Sequence, residues 1–372
     1  MARVKFLHTA DLHLSRPFGC LPPNLAQERR RDQRRTLAKI ADLVLERDAD
    51  LLLIAGDLFD RPDPDPTDLE AVSEQLGRVA ADGKRVFAIP GNHDYCTRNS
   101  FWHRLDIPGV DVFAEPKWRR VVLDDLGIAV AGSAFDRTQS ERRAFENLDL
   151  PTDVPSLLLV HASYESFEGQ MERYHPFSLS DLADTKAHYI ALGHYHRLNT
   201  IAPDSAGPTA CYPGSPEGLG FDAAETEERH VVLGEIGDDG GITLEPIPVN
   251  RRTMRGAAID CTSFESATAL YDAVRKLCEP TGLLQIRLTG LPPQEIMSAI
   301  NEIPERFKES CFYISTDTSG LACPQDIPLD ERTIRGRFCK CLLDQIENSR
   351  DHERRRLLRR ALDLGLTAFS DG

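Results

Sequence analysis

The sequence predicts an α/β fold: a large leading domain with buried sheets, a smaller α/β domain after it, and a helical C-terminal segment. Two observations predict it. Apolar runs of strand length recur at 4–8, 51–55, 85–89, 129–132, 157–160 and 189–192, and polar stretches with apolar residues at i, i+3 and i+4 separate the early ones. Strand, helix, strand repetition of this kind builds buried sheets covered by helices.

Taken in order, "MARVKFLHTADLH" opens with an apolar segment too short for a secretory signal that meets Asp11 and His13 at once, so it reads as a first strand. "RRTLAKIADLVLERD" is the first amphipathic helix and leads into the strand at 51–55. "TDLEAVSEQLGRVAADG" is the second, with Thr67 or Asp68 placed to cap it and Gly83 to end it before the strand at 85–89. The leading domain runs over 1–250. A second α/β domain over 251–329 reads as strand (257–261), helix (265–277), strand (283–288), a helix starting at "LPPQEIM" with Pro at its beginning, and strand (311–315). From 330 to 372 the chain reads as helical, with Ile334, Phe338, Leu342 and Ile346 stacked at i, i+4.

Composition narrows the class. With 41% hydrophobic and 28% charged residues in 372, this is an ordinary soluble globular composition. No apolar run approaches the roughly 20 residues that span a bilayer; no membrane association and a cytoplasmic location are expected. Nine scattered cysteines form no C-x-x-C or disulfide framework and read as reduced thiols, with Cys339 and Cys341 on different helix faces. A net charge of −15 argues against coating nucleic acid by bulk electrostatics. Two arginine-rich runs, at 28–35 and 353–360, read first as solvated helix faces.

The chemistry lies at the strand ends. "FLHTADLH" finishes in Asp11 and His13; "LLLIAGDLFD" in Gly56 and Asp57; "VFAIPGNHD" in Asn92, His93 and Asp94; "LLLVHAS" in His161; "YIALGHYH" in His194 and His196. In α/β sheets, loops at the carboxyl ends of strands converge on one site. Residues i and i+2 of an extended segment share a side, so Asp11 with His13, and His194 with His196, can face one cavity. Glycines 56, 91 and 193 let the backbone turn and keep the floor open. Two carboxylates, one amide oxygen and four imidazoles, with no thiolate, suit Mn²⁺, Fe or Zn²⁺. Seven ligands are too many for one open catalytic ion and fit two sharing a carboxylate, which together can clamp a phosphoryl group and generate the attacking hydroxide. His93 follows a ligand and reaches the site edge, where a cationic ring can stabilise phosphoryl charge and protonate the leaving oxygen; Asp94 beside it favours that charged form. His8, His103, His175, His188, His230 and His352 read as structural or solvated.

The series D-x-H, G-D, G-N-H-D, lone H and G-H-x-H over residues 4–196 resembles the calcineurin-like metallophosphoesterase superfamily. "TADLHLSRPFG", "LLLIAGDLFD", "ALGHYHR" and "CYPGSPEGLGF" closely resemble SbcD-type DNA repair nucleases, the bacterial counterparts of the eukaryotic double-strand-break nuclease. That resemblance implies a sandwich of two β-sheets flanked by helices, with a small capping domain. It implies that Asp11, His13, Asp57 and His196 hold one metal, that Asp57, Asn92, His161 and His194 hold the other, and that both are Mn²⁺. His93 would stabilise the transition state or act as acid, positioned by Asp94. The "YPGS" turn (residues 212–215) resembles the closure of that family's nuclease domain. Two positions depart from the pattern: Asp60 stands where some relatives carry a His, and Ala162 where many have Gly.

The leading functional expectation is a metal-dependent DNA exonuclease or endonuclease acting in repair. Family partners are DNA, an SMC-like ATPase of SbcC type and a second copy of the chain. No G-x-x-x-x-G-K-[ST] occurs here, so the ATPase would be a separate chain, for which the C-terminal helices with Arg354, Arg355, Arg356, Arg359 and Arg360 are a candidate docking element. A phosphodiesterase or phosphatase for small molecules or phosphoproteins is the alternative, favoured by the acidic charge, whereas Arg29–Arg35 and YPGS favour DNA. A non-catalytic scaffold is a third reading; failure to bind metal would point to it.

Overall fold

A computed structural model describes all residues except 1–2, 98–99, 138–139, 151–153, 168–173, 203–207, 223–224, 227, 238–239, 323–329 and 370–372. The chain divides into two compact units: Met1–Gly220 with Glu227–Arg251, and Phe221–Thr226 with Arg252–Gly372.

In the first unit the elements run β1 (Val4–Thr9), α1 (Pro23–Glu46), β2 (Leu51–Ala55), α2 (Pro66–Ala81), β3 (Arg85–Ile89) and β4 (Val110–Val112). Then come β5 (Arg119–Leu123), β6 (Ile128–Gly132), β7 (Ser156–His161), α3 (Leu179–Asp184), β8 (Tyr189–Gly193), β9 (Asn199–Ile201), β10 (Thr209–Tyr212), β11 (His230–Ile236) and β12 (Ile242–Pro248). They form two six-stranded mixed sheets, ordered β12-β11-β1-β2-β3-β4 and β5-β6-β7-β8-β10-β9. β1, β2 and β3 are mutually parallel, as are β6, β7 and β8, so their carboxyl ends emerge together at one edge of each sheet.

Alternation along the strands decides what each face meets. Phe6, Leu51, Leu53, Phe87 and Ile89 of the first sheet pack with Val130, Leu157, Leu159, Tyr189 and Ala191 of the second, which makes the sandwich core. The interleaved Leu7, Leu52, Ile54, Val86 and Ala88 turn outward onto Leu37, Ile40 and Val44 of α1 and Val72, Leu76 and Val79 of α2. On the far side, Leu158, Val160, Ile190 and Leu192 are covered by Phe177 and Leu182. The central parallel strands of both sheets are therefore buried on two faces, which is why they are apolar runs.

Two local expectations are corrected. α1 begins at Pro23, well before the periodic stretch, and the arginine-rich turns split between inside and outside: Arg29 is fully buried and bonds Asp32 and Glu217, and Arg34 reaches Asp68, while Arg31 and Arg35 are exposed. The solvated-face reading of the 28–35 run thus holds for Arg31 and Arg35, which pair with Glu28 at the surface, and fails for Arg29. α2 is preceded by Asp65 with no side-chain cap, and neither Thr67 nor Asp68 caps it; Asp68 is instead buried and accepts from Ser15 and Arg34. Gly83, at φ +81°, follows its end as expected.

The second unit contains β13 (Met254–Asp260), α4 (Ala267–Arg275), β14 (Leu283–Gly290), α5 (Gln294–Phe307), β15 (Tyr313–Leu321), α6 (Ile334–Asn348) and α7 (His352–Ala368). Its three strands are parallel. Leu270, Val274, Ile296, Ile300 and Ile303 of the helices pack on Leu284, Ile286 and Leu288. Cys339 is buried and Cys341 exposed, on opposite faces of α6.

Candidate metal centre

The ends of β1, β2 and β3 from one sheet, and of β7 and β8 from the other, meet at a single point. Past the strands, β1 and β2 stay zipped: Asp11 N–H donates to Gly56 O at 3.1 Å, His13 N–H to Asp57 O at 3.0 Å and Leu14 N–H to Leu58 O at 3.0 Å. The backbone here is forced into the left-handed region, at φ 54° for Asp11, 47° for His13, 48° for Asp57 and 108° for His194. Such conformations cost about 1 kcal/mol or more each and persist where the surroundings over-determine them. The sheets also approach too closely for a side chain at Gly193, where a Cβ would lie 1.9 Å from Ala55 O.

All seven residues read as ligands converge. Ligand atoms of Asp11, His13 and His196 lie within 4.8 Å of one another, as do those of Asp11, Asp57 and His161. Asn92 Oδ1 sits 2.8 Å from His161 Nε2 and 3.2 Å from His194 Nδ1, and His13 Nε2 is 3.1 Å from His196 Nε2 and 3.6 Å from Asp57 Oδ2. Asp11, His13, Asp57 and His161 are buried, while Asn92, His194 and His196 are partly open.

This donor set fits divalent cations. His161 Nδ1 donates to Ala55 O at 3.0 Å, which leaves Nε2 facing Asn92 Oδ1 and, at 3.4 Å, Asp57 Oδ2. Three acceptors pointed at one spot repel unless positive charge lies among them. Burial opposes charge on His161, yet Asp57 and Asp11 raise it to about 9, so in the metal-free protein a proton takes the place of a cation. Burial and the neighbouring His161 bring His194 down to about 3, keeping its lone pair available. Despite burial, His161, His13 and His93 hold Asp57 well below the usual carboxylate range.

His93 is exposed at the rim. Its N–H donates to Asp57 Oδ1 at 2.8 Å, its ring stands edge-on to His13 with centroids 4.7 Å apart, and its Nδ1 lies 3.3 Å from the carbonyl oxygen of Asp60. The orienting contact expected from Asp94 is not the one the fold uses. Asp94 is buried beneath the loop, where its carboxylate accepts from Gly91 N–H at 2.7 Å and Phe59 N–H at 3.1 Å, and burial and Asp57 push it up to about 8. It staples the loops after β2 and β3 together, so its influence on His93 runs through the backbone.

Sequence reading passed over Asp60 as a bare departure from pattern. Its Oδ1 accepts from His13 Nδ1 at 3.1 Å and from Arg16 at 2.8 Å, which turns His13 Nε2 toward the site. The only signal was its spacing three residues beyond Asp57. The YPGS turn braces two site loops: Tyr212 hydroxyl donates to Ala162 O at 2.7 Å beside His161, Ser215 N–H donates to His196 O at 3.3 Å, and the buried Arg229 donates to that same carbonyl. Ala162 does not occupy the left-handed region, so alanine is tolerated there. Of the remaining histidines, His8 is buried against the Tyr189 hydroxyl at 2.8 Å and His175 accepts from Asp136 N–H at 3.3 Å.

A family model described as calcineurin-like phosphoesterase matches residues 4–198. The chain is 26% identical over 348 residues to an uncharacterized metallophosphoesterase, YhaO, of Bacillus subtilis (strain 168), covering 89% of this chain and 82% of that protein. It is 29% identical over 286 residues to the DNA double-strand break repair protein Mre11 of Aeropyrum pernix, covering 73% of this chain and 66% of the relative. It is 24% identical over 259 residues to the SbcD subunit of the nuclease SbcCD of Bacillus subtilis (strain 168), covering 59% and 63%. The chain thus spans just under two thirds of these last two relatives.

Proposed function

Because this chain belongs to the calcineurin-like phosphoesterase family, a family of hydrolases, we propose that it is a two-metal phosphodiesterase that cleaves DNA. The observation carrying this reading is the convergence of Asp11, His13, Asp57, Asn92, His161, His194 and His196 from two sheets onto one centre, with Asp57 central to it. Asp11, His13, Asp57 and His196 would hold one ion, and Asp57, Asn92, His161 and His194 the other; their nitrogen and oxygen donors suit Mn²⁺, with Fe or Zn²⁺ as alternatives. Bound there, the ions supply water activation and neutralise phosphate charge. His93 stands beside this centre with Nδ1 held by Asp60 O, which leaves Nε2 to deliver a proton to the leaving oxygen or to stabilise the phosphoryl group. Asp60 orients His13, and Asp94 fixes the loop carrying Asn92 and His93. DNA as substrate is supported by the likeness to the break-repair protein and the nuclease subunit.

A work site in DNA repair, exonucleolytic and endonucleolytic cleavage, an SMC-like ATPase partner, self-association and a cytoplasmic location belong to the same proposal. No helix among the described residues is long and apolar enough to cross a membrane. The net charge of −15 favours a second reading, a small-molecule or phosphoprotein phosphoesterase. Degradation of linear duplex DNA with Mn²⁺ distinguishes the two, with His93→Ala as control for contaminating nuclease. Digestion by wild type and not by the variant is expected. If a generic phosphodiester is hydrolysed while DNA stays intact, the second reading replaces the first.

A further inference from the structure

Three residues of the loop after β1 hold left-handed backbone without being glycine: Asp11 at φ 54°, His13 at 47° and Ser15 at 67°. Such backbone persists only where its surroundings over-determine it. On one side the restraint is the loop after β2, since the N–H groups of Asp11, His13 and Leu14 donate to Gly56, Asp57 and Leu58. On the other side it is α1. Gln33 Nε2 donates to Leu12 O at 3.0 Å and to His13 O at 2.8 Å, which commits both amide hydrogens to the two peptide groups that flank His13.

Gln33 has little freedom to do otherwise. It is buried on the inner face of α1, one turn from the buried Arg29 and one turn from Leu37, which packs on the outer face of the first sheet. A pair of carbonyls accepts only from the NH₂ end of an amide, so the group cannot be turned over. The cost falls at its other end, where Gln33 Oε1 is buried with no hydrogen-bond donor among the described residues. Leaving a buried acceptor unmade costs more than one ordinary hydrogen bond contributes. An amide that served helix packing alone would satisfy its oxygen. This one leaves the oxygen bare and gives both hydrogens to a single loop.

We propose that Gln33 is a positioning residue of the metal centre: it sets the two peptide planes beside His13 and so the direction in which His13 presents Nε2. Asp60 fixes the turn of the ring through Nδ1, and Gln33 fixes the backbone that carries the ring. For its effect on metal the inference rests on the two-ion reading above. For its effect on the loop it does not. Gln33 bears on the ion assigned to Asp11, His13, Asp57 and His196, and bonds none of the loops that bring Asn92, His161 and His194 to the other.

The test compares two variants of the full chain. Gln33→Met keeps the reach of the side chain and removes both donors; Gln75→Met makes the same change at a buried amide of α2 that bonds Arg78. In EDTA, amide hydrogen exchange of segment 10–16 should quicken by about tenfold in Gln33→Met and by less than about twofold in Gln75→Met. In Mn²⁺ calorimetry wild type should bind two ions. Gln33→Met should bind one of them within about twofold of wild type and the other about tenfold more weakly, while Gln75→Met matches wild type. Gln33→Asn, whose amide falls one methylene short, should behave as Gln33→Met and replaces it if circular dichroism shows that variant unfolded. Unchanged exchange at 10–16, or exchange that quickens equally across the sandwich, overturns the proposal. So does a weakening of both ions alike, or of neither. Wild type that binds no Mn²⁺ defeats the two-ion reading, and the exchange in EDTA then decides the hold of Gln33 on the loop by itself.

Discussion

His93 and Asp60 illustrate how differently two polar residues of one loop cluster serve the site. His93 is exposed and held by backbone contacts, so removing its ring leaves the ligands in place. His93→Ala is expected to lower phosphodiester turnover by about 10²–10⁴-fold while metal affinity stays near wild type. Turnover and Mn²⁺ calorimetry on the same preparation check this; a parallel collapse in metal binding would show the ring to be a ligand. Asp60 acts on His13 from behind, and outer partners of metal-binding histidines typically contribute 10–100-fold to affinity. Asp60→Asn should therefore weaken Mn²⁺ binding by roughly that factor, and an unchanged titration would refute the orienting role.

At the scale of elements, the close approach of the two sheets makes the glycines unequal. A methyl at Gly193 would drive into Ala55 O, a backbone atom that cannot yield without separating β8 from β2. Gly193→Ala should cost about 3 kcal/mol or more, seen as a lower urea midpoint or an insoluble product. Gly77, inside α2, meets nothing within 4 Å, and Gly77→Ala should raise stability by about 0.5–1 kcal/mol. Opposite signs in one denaturation series check the packing argument; a tolerated Gly193→Ala would contradict it. This scale also shows what was legible. Central strands buried on both faces are continuous apolar runs, and the candidate ligands at their ends follow in chain order, so those strands and the meeting of the seven candidate positions at one place could be read directly. Asp94 and Arg29 could not. The direction of a buried carboxylate, and which arginine of a run turns inward, depend on residues distant in sequence such as Phe59 and Glu217. Local pattern carries no trace of such pairings.

For the whole molecule, buried histidines set the acid limit. Burial brings His8 down to about 3 and His175 to about 4. Their folded values lie below the unfolded value of 6.5, so as pH falls below about 6.5 the unfolded chain takes up protons first. The part of the stability owed to these two rings is complete above that point and declines toward pH 3–4, by several kcal/mol in all, on the order of 1.4 kcal/mol for each tenfold loss of proton affinity on folding. Urea midpoints measured from pH 7.5 to 4.5 check this; a flat profile would mean these rings are solvated in the folded state. His8→Gln should remove part of the slope.

The placement of the candidate ligands has a mechanical meaning. Asp11, His13, Asp57 and Asn92 follow strands of one sheet, while His161, His194 and His196 come from the other. Bound metal would therefore act as a rivet through both layers of the sandwich. Anything that binds the folded state alone stabilises it in proportion to its saturation. Removing the metal should loosen this rim of both sheets at once, and amide hydrogen exchange would register it. Protection should fall together at the ends of β1, β2, β7 and β8, while the opposite rim of the sandwich keeps its rate.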